Sequence, residues 1–208
     1  GAGREVAVAS TLDVLDALRD RGGINFDDWV AARTELRRAG YVFVPFAKEE
    51  LIAVVNDCGV ENGELQESLQ ARTLRENLQL AQFSMLLQQP NETAWLAHNN
   101  RVVREAIVQL WSDAMDTTAV AARCSWLVEL SRLDGFGASL PNLADVERWN
   151  QIDAVLLWQL MVPITLPEQQ RENYANWLED AYLDEMRKQR PLTFGILVDL
   201  VKRQLVSI

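Results

Sequence analysis

One histidine, two cysteines and thirty carboxylates are the groups of this chain that could carry chemistry, and their spacing decides what each can do. His98 stands alone, so a Ser-His or Cys-His nucleophile would have to be built around it, and a site with several histidine ligands is excluded. Its setting, LAHNNR, is a polar stretch of an amphipathic helix and reads as a solvated or locally bonded histidine. Gly1, Gly3, Gly22 and Gly23 lack both the spacing of a phosphate loop and the Lys-Ser/Thr that follows one. Asp134 in DGFG has no second carboxylate at the spacing of a cation-binding loop and reads as a glycine-rich turn. A metal-dependent nuclease needs several acids converging on its cations. Asp13 with Asp16, and Asp27 with Asp28, fall instead in first turns or on polar helix faces, where negative charge complements the helix dipole. The densest acidic group is Glu179, Asp180, Asp184 and Glu185; its spacing makes a solvated face, partly balanced by Arg187 and Lys188. These four are the candidate partner-contact residues, and no catalytic, cofactor or metal residue is assigned.

The elements that would position these groups are mostly helical. Ser10 with Asp13, and Asn25 with Asp28, are start signals for helices over 11–20 and 26–39, and Gly22-Gly23 and Gly40 are the matching stops. Two stretches read as strands, REVAVAS near residues 4–9 and YVFVP over 41–45, with a further helix over 47–57. The connection between the strands contains helices, which predicts a parallel pair with a right-handed crossover. From about Glu61 onward the apolar period is helical: Ala71, Leu74, Leu78, Ala81 and Met85; then Val103, Ile107, Leu110 and Ala114; then Val120, Cys124, Leu127 and Leu130. A helix through Trp149, Ile152, Leu156 and Leu160 follows the irregular DGFGASLPN. Thr165, Pro167 and Glu168 open another that runs to Arg190, and Pro191 precedes the last. The expected fold is therefore mostly α: a small two-stranded parallel α/β part over residues 1–60, followed by an all-α helical bundle over 61–208. Five of the seven tryptophans, Trp95, Trp111, Trp126, Trp149 and Trp158, sit in the middle helices, where they suit a core of widely spaced helices or an aromatic partner surface.

Composition limits function further. The net charge is -10, spread along the chain with ten acids and seven bases in residues 1–60, so direct nucleic-acid binding through phosphate contacts is not expected. Cys58 and Cys124 lie far apart in apolar helical contexts, which fits reduced thiols and a cytoplasmic setting. No apolar run is long enough to span a membrane and the first residues lack the basic and hydrophobic regions of a signal peptide, so membrane residence is not expected.

The stretch REVAVASTLDVLDALRDRGGINFDDWVAARTELRRAGYVFVPF resembles the closing segment of a PIN-like nuclease domain. A strand ending in a small residue and threonine (Ala9-Ser10-Thr11) leads into the leucine-rich LDVLDAL, a glycine and another helix. CSWLVEL, GFGASLP and LPEQQRENYANWLED resemble the helical extension that follows such domains in large prokaryotic proteins. The resemblance implies a parent protein that is a divalent-metal ribonuclease of a toxin or defence system. Its metal-binding acids would lie upstream of the matching segment, so none is carried onto this chain and no cofactor is expected in it. The function expected is a non-catalytic C-terminal helical region with structural, regulatory or protein-interaction roles, its partner a protein or the remainder of the parent polypeptide. Self-association through exposed strand edges is expected if the sheet is incomplete. A self-sufficient acidic adaptor module is the alternative, and an acidic mimic of nucleic acid a third reading.

Overall fold

The computed structural model describes residues 10–83, 90–131, 150, 153–155, 157–161 and 165–206. The first two helices form where their caps stand. In α1, Thr11–Asp20, the Ser10 hydroxyl accepts from the Asp13 amide at 3.2 Å while the Asp13 carboxylate accepts from the Ser10 amide at 2.7 Å. That backbone bond holds the Asp13 carboxyl below its usual range. In α2, Phe26–Arg38, the Asn25 side chain accepts from the Asp28 amide at 2.8 Å. Both helices end on a glycine in the left-handed region, Gly22 (φ +70°) and Gly40 (φ +90°). The amides of Gly40 and Tyr41 close on the carbonyls of Arg37 and Leu36 at 3.0 and 3.1 Å, the two bonds of a Schellman motif.

Beyond Gly40 the expected parallel pair gives way. Residues 4–9 lie outside the described residues, and Tyr41–Ala47 is an extended, turn-containing segment that pairs with no strand among the described residues. It leads into α3, Lys48–Asn56. The sheet that does form among the described residues is antiparallel: β1, Gly59–Glu61, against β2, Glu64–Gln66, with Val60 opposite Leu65. Its turn is Asn62-Gly63, both at positive φ (54° and 80°), the backbone that an Asn-Gly hairpin turn requires. The helical pattern was expected to run through this stretch; the Asn-Gly pair overrides it. Nothing lies within 4 Å of a Cβ built on Gly63, so Gly63→Ala costs only the left-handed conformation, about 1 kcal/mol. A melting temperature lowered by roughly 2–4 °C in calorimetry is the expected result.

The hairpin is fastened through Glu67. Its carboxylate accepts from Arg75 Nε (2.6 Å) and Nη2 (2.8 Å) on α4, Leu69–Phe83, and from the Trp126 indole (2.9 Å) on α6, Thr117–Ser131. The bonds from Arg75 hold the Glu67 carboxyl below its usual range against a smaller opposing effect of burial. Between these helices runs α5, Pro90–Ser112, which packs on α3 and α6. One apolar core joins Phe46, Leu51 and Val55 to Leu74, Ile107, Trp111, Leu127 and Leu178, so the N-terminal helices and the later bundle share an interior.

The C-terminal part contributes α7 (Glu168–Leu178), a π-helical turn (Glu179–Leu183), α8 (Asp184–Gln189) and α9 (Pro191–Val206). Pro167 rather than Thr165 occupies the cap position of α7, and it makes no side-chain cap bond. Trp111, Tyr174, Trp177 and Tyr182 form an aromatic cluster with ring centroids 5.3–5.8 Å apart. The Trp177 indole donates to Ser125 Oγ at 3.0 Å. Tyr174 and Tyr182 likewise place their hydroxyls on backbone carbonyls, of Leu160 (2.7 Å) and Ser125 (3.4 Å), so these rings fill the core while their polar ends find partners. Trp149 and the DGFGASLPN loop lie outside the described residues. Cys58 and Cys124 are both buried free thiols, and burial pushes the Cys124 thiol well above its usual range. No helix among the described residues is long and apolar enough to cross a membrane.

Candidate functional site

A segment that enters the interior with no strand partner among the described residues must satisfy its polar backbone some other way. Tyr41–Ala47 does so with side chains. Asn77 on α4 donates to the Tyr41 carbonyl (3.0 Å), and Asn99 on α5 accepts from the Phe46 amide (2.9 Å). Arg33 on α2 donates to the Pro45 carbonyl. His98 Nε2 meets the Phe46 carbonyl at 3.1 Å, and Arg101 Nη2 meets His98 Nδ1 at 3.2 Å. A carbonyl only accepts and a guanidinium only donates, so both partners are satisfied by the neutral imidazole with its proton on Nε2. The histidine's lone pair is thereby occupied, and the ring serves as a backbone clamp rather than a free base.

Beneath the segment lies a buried ion cluster. Glu50, at the third position of α3, has 1% of its surface exposed, and Arg33 and Arg37 have 2% and 4%. Glu50 Oε2 accepts from Arg33 Nε (3.0 Å) and Arg37 Nη2 (3.3 Å), and Oε1 accepts from Arg37 Nη1. Oε2 also meets the Ala47 amide at 3.4 Å, a capping bond that the alanine side chain cannot return. Burial alone would push the Glu50 carboxyl up, but the two guanidinium charges and their hydrogen bonds outweigh it and hold the group below its usual range. Arg33 stacks over the fully buried Trp29 ring, its guanidinium carbon 4.8 Å from the centroid, with that of Arg19 at 4.4 Å. The Trp29 indole donates to Asp16 at 2.8 Å, and Asp16 lies 3.7 Å from Arg33. Through Asp16 and Arg19, α1 is fastened to the body although it buries none of its own residues.

What this arrangement presents outward is aromatic. Val44 and Phe46 point into the core, whereas Tyr41 and Phe43 are 56% and 38% exposed; Phe43 meets the Trp95 ring edge-on at 5.4 Å. The clamp thus fixes an apolar edge on a backbone with little freedom. Replacing Asn99 with leucine leaves the Phe46 amide buried without an acceptor and is expected to cost about 1–3 kcal/mol. Urea unfolding of Asn99→Leu measures that loss.

The residues singled out in the sequence are dispersed. Asp13 caps α1, Asp16 holds Trp29, and Asp27 and Asp28 occupy the first turn of α2. Of the acidic group, Glu179 and Asp184 accept from Arg187 at 2.7 and 2.8 Å, and Asp184 also meets Lys188 at 3.4 Å. Asp180 and Glu185 stay exposed beside them. No three of the described histidine, cysteine, aspartate and glutamate side chains converge as a metal site would require. One crevice, bordered by Val103, Arg104, Val128 and Leu160, has a cavity volume of about 20 Å³, room for a water molecule rather than a substrate. Arg33, Arg37 and Glu50 were not singled out in the sequence. The signal was there: Trp29, Arg33 and Arg37 recur at i, i+4 and i+8, so the face of α2 that buries its tryptophan also buries two arginines. No protein-family model, curated protein or solved structure matches the chain.

Proposed function

We propose that this chain is a non-catalytic helical module that docks a protein partner through the edge carrying Tyr41 and Phe43. The observation behind this reading is the pairing of an exposed aromatic edge with a backbone held from below by Asn77, Asn99, His98 and Arg33. Rigid aromatic side chains make good contact anchors because little conformational freedom is lost when they bind. Several groups that could carry catalysis are held in structural contacts: Glu50 by two arginines, His98 by a carbonyl and Arg101, and both thiols in the interior. The partner in this reading is a separate protein or the rest of a PIN-like parent. The 41–45 segment, which pairs with no strand among the described residues, departs from the pattern on which that resemblance rests.

Site-specific photocrosslinking in producing cells tests the reading. A photoreactive residue at position 41 is expected to give one dominant protein adduct that the same residue at exposed Glu172 does not give, and that a Phe43→Ser change removes while costing the fold only about 1 kcal/mol through the lost Trp95 contact. Equal labelling at both positions, or none at 41, contradicts it. The purified chain is expected to leave RNA intact with magnesium or manganese, and metal-dependent cleavage would overturn the non-catalytic assignment.

A further inference from the structure

We draw no further inference here: the strongest candidate, the exposed apolar stripe that Val14 and Leu18 form on α1, carries nothing because nothing in the structure shows what covers it.

Discussion

Glu50→Gln is expected to destabilise the fold by about 3–5 kcal/mol, the cost of leaving buried charge uncompensated. At 2–4 °C per kcal/mol for a chain of this size, the melting temperature falls by on the order of 10 °C. The substitution keeps the shape and the capping contact to Ala47 but removes the one negative charge between Arg33 and Arg37. Neither arginine can turn to water, since each has less than 5% of its surface exposed. The same cluster sets part of the acid limit of stability. The Glu50 carboxyl is held lower in the folded chain than its ordinary value of 4.5, so its contribution is fully present above that pH and is lost as pH falls through the folded value. Glu50→Gln is therefore expected to flatten the stability curve on the acid side, and scanning calorimetry between pH 3 and 7 would show it. An unchanged acid slope together with a melt within 2 °C of wild type would show that the cluster contributes little.

Trp111→Ala is the second large effect, about 3–5 kcal/mol. Trp111 is 1% exposed on α5, and its ring lies 5.8 Å from both Tyr174 and Trp177. Removing it empties the space between α5 and α7, and Tyr174, whose hydroxyl donates to the Leu160 carbonyl at 2.7 Å, is not free to move in. The loss is expected as a shift in the urea midpoint at unchanged slope, which marks a change in stability rather than in the denatured state. A loss below 1 kcal/mol would mean that the aromatic cluster repacks, contrary to the geometry described.

Much of the helical scaffold was legible because its signals are local. Ser10, Asn25, Gly22 and Gly40 do what their types require within one turn of where they stand. The apolar steps from Ala71, Val103 and Val120 likewise place buried faces on α4, α5 and α6. The hairpin was equally local: Asn62-Gly63 is a strong turn signal, hidden by the helical pattern on its C-terminal side. GYVFVPF is the informative miss. Four consecutive apolar residues describe a buried extended segment equally well whether a strand or a set of side chains satisfies its backbone. Only the positions of Asn77 and Asn99, 36 and 53 residues away from the groups they bond, decide between the two. The candidate site was legible only in part: the spacing of Trp29, Arg33 and Arg37 marks one face of α2, but that Glu50 meets the two arginines is decided by the fold.

Amide hydrogen exchange across residues 41–47 tests most directly whether side chains, rather than a sheet, hold this segment. The Phe46 amide, bonded to Asn99, is expected to exchange slowly in the native chain and rapidly in Asn99→Leu, while the amides of Val42 and Phe43 exchange rapidly in both. Protection of Val42 and Phe43 in the native chain, unaffected by the Asn99 substitution, would place the segment in a sheet and contradict the account.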